Sequence, residues 1–347
     1  MFLRSLKKGE KFMGKNDLGI DLGTANFIVY QKGKGIVLYQ PSVVAISKKT
    51  GKIIAIGDEA KEMLGKTPED IVIAVRPMKD GVIADYTIIS EVLRIFIKKV
   101  TKGFLFKPNM VIGIPAKTTT VEKRAVFDAA LNAGAKKVFV VSEPLAAAIG
   151  AGIDVTKPSG NMIIDIGGGT TDIAVISLGG VVVGDSIKIA GDAMDDIIVK
   201  SVRKLFGLII GESTAEEIKI KIGKAHPDVE DKEMEIKGRD AVTGLPRVDK
   251  ITSQHVYEML RPTIENLVSK IKIVLEKTPP ELSADIMEKG IVLTGGGSLL
   301  RGIDMAIKDE IGVQCKVSDD PMTCVARGTG ILLDEEDLLE LVASTYE

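Results

Sequence analysis

The chain has 347 residues, 45% of them hydrophobic and 27% charged, with a net charge of −2. This is the make-up of an ordinary soluble α/β protein of about two domains, and the balanced charge offers nothing for nucleic acid to bind. Two histidines and two cysteines, Cys315 and Cys324, leave almost no material for a metal cluster, a histidine-based triad or a disulfide framework; they fit a reducing cytoplasm. No apolar run approaches the ~20 residues of a membrane span.

Residues 1–15, MFLRSLKKGEKFMGK, are too basic and too short of an apolar core for a secretory signal. On a helix at about 100° per residue, Phe2, Leu6 and Met13 share one face, with Leu3 and Phe12 beside it. Arg4, Lys7, Lys8, Lys11 and Lys15 take the other. The segment reads either as an interfacial amphipathic helix or, with Gly9 in its middle, as a solvated basic tail. Met13 offers a second start. Residues 17–46 read as successive strands with a turn at Lys32-Gly33-Lys34-Gly35, and a further strand over 52–56 follows the turn at Thr50-Gly51. A short helix over 60–64 ends at Gly65. The strong periodicity over 87–100 predicts an amphipathic helix. Phe104, Leu105 and Phe106 then stand in a loop between Lys102 and Pro108, where apolar residues need an explanation, since loops run over surfaces. Packing into the core is one.

A strand over 109–114, a helix over 120–133 closed by Gly134, a strand over 137–141 and a helix from Pro144 to Gly150 alternate. Such alternation means parallel or mixed sheets covered on both faces. Ligands in these sheets sit beyond the carboxyl ends of strands. Glu143 lies at such an end, before a proline suited to the first turn of a helix. Lys157-Pro158-Ser159-Gly160 reads as a hinge.

The most informative stretch is 162–176, MIIDIGGGTTDIAVI. Two β-rich runs surround a glycine-rich centre, the pattern of a hairpin. Gly167, Gly168 and Gly169 let the backbone approach a ligand and aim N–H groups at it, which suits a phosphate. Asp165 ends a buried strand, where a carboxylate is costly unless a cation such as hydrated magnesium neutralises it. The same grammar occurs over 18–30, LGIDLGTANFIVY, where Asp21, Gly23, Thr24, Ala25 and Asn26 occupy the corresponding places. The two aspartates stand 144 positions apart, too far for a solenoid repeat. Two similar halves, each with a phosphate hairpin and a carboxylate, suggest one nucleotide clamped between two domains. Further on, 214–222 is helical, 226–250 is charged and turn-rich, a long helix over 254–275 stops before Pro279-Pro280, a short helix spans 284–289, a strand spans 290–294, and an acidic helix is expected over 334–347.

These hairpins, with the Leu293-Thr294-Gly295-Gly296-Gly297-Ser298 run, resemble the superfamily of actin, sugar-kinase and heat-shock-chaperone ATPases. Six ordered blocks resemble the MreB family of bacterial actins more closely: GIDLGTAN, RPMKDGVIADY, SEPLAAAIGAG, IDIGGGTTDIAVIS, TPPEL and KGIVLTGGGSLLRG, together covering about 17–333. The resemblance implies an actin-like α/β fold of two similar domains, with mixed sheets flanked by helices around a nucleotide cleft. It places domain I over 16–157 with a small subdomain at about 47–80. Domain II would span 158–333 with a small subdomain at about 192–252, and the terminal helix would return to domain I.

It also implies a slow ATPase that uses ATP and Mg2+ and polymerises into membrane-associated antiparallel double filaments controlling cell shape. Asp21 and Asp165 would hold magnesium through water. Glu143 would orient or deprotonate the attacking water, assisted by Thr170. Gly23, Thr24, Ala25, Asn26 and Gly167 to Gly169 would hold the phosphates. Glu216 and Lys219, three apart on one helix face, match the pair that holds ribose and base; without the resemblance they read as a surface ion pair. Gly295, Gly296, Gly297 and Ser298 would form the adenosine floor. Asp172 stands where many relatives carry Glu, and Ser142 where relatives often carry a second acid. Phe2, Leu3, Leu6, Phe104, Leu105 and Phe106 would touch the membrane. The implied partners are the chain itself, an anionic membrane surface and cell-shape or wall-synthesis proteins, at the inner face of the cell membrane. A small-molecule kinase would need an acceptor site for which no extra acid motif is seen. A chaperone ATPase would need a peptide-binding domain beyond Glu347.

Overall fold

The computed structural model describes residues 14, 16–67, 71–101 and 107–345. The membrane-contact residues expected at Phe2, Leu3, Leu6, Phe104, Leu105 and Phe106 lie outside them. In chain order the elements are β1 (Leu18–Leu22), β2 (Asn26–Gln31), β3 (Gly35–Pro41), β4 (Val44–Ser47), β5 (Ile53–Ile56), α1 (Asp58–Met63), β6 (Val72–Val75), β7 (Met78–Lys79), β8 (Val82–Ile83), α2 (Tyr86–Thr101), β9 (Asn109–Ile114), α3 (Thr120–Ala133), β10 (Lys137–Ser142) and α4 (Glu143–Gly150). The second half continues with β11 (Asn161–Ile166), β12 (Thr171–Ser177), β13 (Gly180–Ile187), α5 (Gly191–Phe206), β14 (Leu208–Ile209), α6 (Glu212–Ile222), β15 (Glu233–Asp240), β16 (Pro246–Thr252), α7 (Ser253–Glu276), α8 (Pro280–Lys289), β17 (Ile291–Thr294), α9 (Ile303–Ile311), β18 (Cys315–Val317), α10 (Cys324–Asp334) and α11 (Glu336–Val342).

Two five-stranded sheets carry the fold, ordered β10-β9-β1-β2-β3 and β18-β17-β11-β12-β13. Each is built outward from an antiparallel hairpin, β1/β2 or β11/β12, with two parallel strands on one side and an antiparallel strand on the other. The internal similarity of the sequence is therefore a similarity of topology. Every residue of β9 is buried, as a parallel strand covered on both faces requires. The stripe Ile89, Val92, Leu93, Phe96 and Ile97 seats α2 on the first sheet, with Phe96 edge-on to Phe27 at 5.6 Å. Each such buried side chain contributes about 1.5–3 kcal/mol. A capping box of Thr119 and Glu122 opens α3, and Gly134 at φ 115° closes it.

The two halves meet at their base through α4 and α10. A Cβ on Gly328 would lie 1.8 Å from the Ala146 carbonyl oxygen, and one on Gly150 would lie 1.9 Å from that of Cys324. Only glycine allows these backbones to touch, so Gly150 and Gly328 are a packing requirement.

The stretch 157–160, expected as a hinge, is held at its second-half end: Asp285 accepts from the Gly160 amide at 2.6 Å and the Ser159 hydroxyl at 3.2 Å, while Lys289 donates to the Gly160 carbonyl and Asn161. Two expectations change. Residues 233–252 are an ordered antiparallel hairpin, β15/β16, rather than mostly turns. The terminal helix is shorter than 334–347: α11 ends at Val342, and Ser344 then exchanges two backbone hydrogen bonds with Val140 at 2.9 Å each, shielding the edge of β10.

Candidate functional site

The turns of the two central hairpins, 23–26 and 167–170, meet at one side of a cleft of about 350 Å³ between the sheets. Asp21, Gly23, Thr24, Ala25, Asn26, Glu143, Asp165, Gly167, Gly168, Gly169, Thr170, Glu216, Lys219, Gly295, Gly296 and Gly297 all line it, so residues spread over most of the chain converge as expected. Ser298 does not line it. Its side chain is buried and its hydroxyl donates to the Gly295 carbonyl at 2.7 Å, so it shapes the floor from beneath. Gly295, at φ 78°, must be glycine, because a Cβ would meet the Ile166 carbonyl oxygen at 2.3 Å.

The glycines of the second turn have a structural reason that the sequence does not show. A Cβ on Gly168 would sit 2.6 Å from that of Ala25, and one on Gly169 would sit 2.5 Å from Thr24 Oγ1. The two turns are in contact, so glycine is required for their approach to one another. The carbonyls of Gly167 and Gly168 accept from the Gly191 and Asp192 amides at 3.1 and 2.8 Å, which ties the turn to the start of α5.

Four carboxylates gather at the cleft base. Asp21 is opposite Ile28 in its hairpin, whereas Asp165 is opposite Asp172. Burial, and then the neighbouring Asp165 charge, push Asp21 up to about 7. Burial also pushes Asp165 up to about 7, against the Thr294 hydroxyl that donates to it at 2.8 Å. Asp172 rises to about 6 by burial, held back by the Ala116 amide and the Ser186 and Thr170 hydroxyls. Glu143 is raised well above the usual carboxylate range by burial and then by Asp172, Asp21 and Asp165. A cluster of like charges in a low-dielectric pocket calls for a cation. Among the described residues no three His, Cys, Asp or Glu side chains could hold an ion by themselves. Asp21 and Asp165, one from each half, are the kind of carboxylate oxygen donors that a hydrated magnesium ion would take.

Glu216 and Lys219 both reach the cleft, yet each has its own partner. Glu216 pairs with Lys61 of α1 at 2.7 Å, across the mouth. Lys219 donates to Asp195 at 2.7 Å and to the Gly191 carbonyl at 2.9 Å. Three more ion pairs join the halves: Arg76–Asp192, Asp80–Lys188 and Lys117–Asp185, at 3.7, 3.0 and 2.6 Å. Sequence reading missed Lys61, Arg76, Asp80, Gly81, Asp192 and Asp195. One signal was there. Asp80-Gly81 is a two-residue turn signature between short strands. Both residues have positive φ, 51° and 75°, and the Gly81 amide donates to Thr24 Oγ1 at 3.1 Å.

Paired sheets of matching topology around such a cleft define an actin-like fold. Solved structures agree. The chain aligns with MreB5 of Spiroplasma citri bound to ADP at a TM-score of 0.90 and 38% identity, covering 95% of this chain and 98% of that one. The same protein bound to AMPPNP aligns at 0.88 and 39%, covering 93% and 96%. The MamK double helical filament, at 0.76 and 23% identity over 92% of this chain and 99% of that one, shares the fold. In sequence, the chain is 51% identical to the cell shape-determining protein Mbl of Bacillus subtilis over 94% of its own length and 98% of the relative's. It is 48% identical to the cell shape-determining protein MreB of Escherichia coli K12, over 95% and 97%. The family described as MreB/Mbl protein matches residues 15–341. The chain belongs to the MreB/Mbl family.

Proposed function

We propose that this chain is an ATP-dependent cytoskeletal protein that polymerises and helps set cell shape. The observation that carries the reading is the pair of hairpin turns that meet at the cleft, each beside a buried aspartate, in a fold whose relatives of known structure were solved with ADP and AMPPNP. The turn backbones bind the phosphates, and Asp21 and Asp165 would hold a hydrated magnesium ion that would neutralise phosphate charge. Gly295 to Gly297 lie under the adenosine. Glu143, at the cleft base, accepts a proton from the attacking water, with Thr170 beside it. Hydrolysis is slow and accompanies polymerisation into paired filaments. Sedimentation with ATP and magnesium tests this: protein should pellet as filaments and release phosphate. A protein that stays monomeric and nucleotide-free under these conditions would overturn the reading.

The filaments are proposed to lie on the cytoplasmic face of the membrane, near cell-shape or wall-synthesis proteins. Exposed Lys98, Lys99, Lys107 and Lys136 flank 102–106 and favour an anionic surface, each contributing about 1 kcal/mol there, screened by salt. Weak anchors add up along a filament. Co-sedimentation with anionic liposomes should rise on polymerisation and fall with salt. Deleting residues 1–12 and adding Phe104→Ser and Phe106→Ser should nearly abolish it without loss of filaments; undiminished lipid binding would disprove the anchor.

A further inference from the structure

Asp172 is the one acid of the second hairpin without an equivalent in the first, where Ile28 takes its place. Placing a carboxylate directly across from Asp165 is unfavourable by itself. At 1% exposure the Asp172 carboxylate cannot shed its charge into solvent. What it gains is a donor from the other half. The Ala116 amide donates to Oδ1 at 2.8 Å. Ala116 belongs to the first half. It lies two residues beyond Ile114, and Ile114 pairs with Ser142 immediately before Glu143. In the same strand, a Cβ on Gly113 would touch Glu143 Cγ at 3.3 Å. One buried side chain of the second half therefore holds the end of the strand that backs Glu143.

We propose that Asp172 is a positioning residue for the hydrolytic step: its bond to the Ala116 amide, reaching from one half to the other, holds the end of the strand that backs Glu143. This rests on the ATPase reading above. It assigns Asp172 no contact with the nucleotide or the metal. The chemistry it needs is that of an acceptor oxygen at a fixed reach, so an amide of the same length should serve, whereas a shorter side chain should not.

The test measures phosphate release against ATP concentration, together with thermal melting, for the whole chain and for Asp172→Ala and Asp172→Asn. Misplacing a reacting group by about 1 Å can cost ~100-fold. Asp172→Ala should lower kcat about 10- to 100-fold with KM within about 3-fold, and Asp172→Asn should restore kcat to within about 5-fold of the unmodified chain. If alanine prevents folding, Asp172→Ser, which loses the reach to Ala116, takes its place with the same expectation. A wild-type kcat in the alanine or serine variant overturns the proposal, as does an asparagine variant as slow as the alanine one. An unmodified chain that binds ATP yet releases no phosphate refutes the hydrolysis reading instead.

Discussion

The two central hairpins share a topology and differ in what they carry. The first, Leu18 to Gln31, places one acid on its cleft face, and its turn holds a single glycine and ordinary side chains at Thr24, Ala25 and Asn26. The second, Asn161 to Ser177, places Asp165 and Asp172 side by side, and two of its three turn glycines, Gly168 and Gly169, are needed because the first turn fills the space in front of them. The bulkier turn defines the surface, and the bare turn fits against it. The asymmetry extends to chemistry. Asp172 and Thr170 come from the second hairpin, and Glu143 opens the helix that follows β10 of the first sheet, so these groups come together only where the two halves meet. On the proposed ATPase reading, a duplicated clamp would bind the nucleotide while hydrolysis would depend on the difference between the copies.

The largest test of that division falls on Glu143. Glu143→Ala should slow phosphate release by about 10²–10⁴-fold while ATP still binds, measured by a coupled phosphate assay beside a nucleotide-binding titration. A wild-type rate would move the base elsewhere. Next come the paired aspartates. Asp165→Ala should weaken binding of magnesium-ATP more than Asp21→Ala does, because Asp165 is anchored by Thr294 while the Asp21 side of its hairpin faces Ile28. Fluorescent-nucleotide titration reads the ratio, and equal losses would make the clamp symmetric.

A third, smaller effect is pH dependence. Asp21 and Asp165 are raised to about 7 and Asp172 to about 6, so between about pH 4 and pH 7 the folded chain binds more protons than the unfolded one. Their contribution is full below the ordinary aspartate range and is lost as pH rises through these raised values. The melting temperature of nucleotide-free protein should therefore fall between about pH 5 and pH 8, and magnesium-ATP should raise it more at the upper end. Differential scanning fluorimetry with and without ligand measures both, and a nucleotide-free melting temperature that rises over this range would contradict the carboxylate cluster. The smallest effect belongs to the cleft mouth. Lys61 and Glu216 are each about one-third exposed, so their pair is worth at most about 1 kcal/mol. Lys61→Ala should speed nucleotide release only a few-fold in a stopped-flow displacement.

Much of this site could be read from sequence because it is built from hairpins, whose residues are close in the chain. Asp21, Asp165 and their turns announce themselves by local pattern. Glu143 is legible from its place between a strand and a helix-starting proline. The cross-cleft partners are not. Nothing near Glu216 in the chain points to Lys61, and Lys219 was read with Glu216 because spacing on a helix shows which side chains share a face without showing what faces them. The terminal helix was overextended for a related reason: the polar tail after Val342 has helix-compatible residues, but the open edge of β10 offers Ser344 backbone hydrogen bonds instead.

The sequence by itself determined the two hairpins, their duplicated grammar, the alternation of strands and helices and the family, because these follow from short-range periodicity, turn chemistry and ordered motifs. The tertiary structure alone decided that Gly168 and Gly169 answer to the opposite turn, that Ser298 supports the floor without lining it, and that Asp172 reaches Ala116 in the other half. Each of these is a contact between segments far apart in the chain. Such contacts depend on how two sheets pack, and the pattern of either sheet alone carries no record of it.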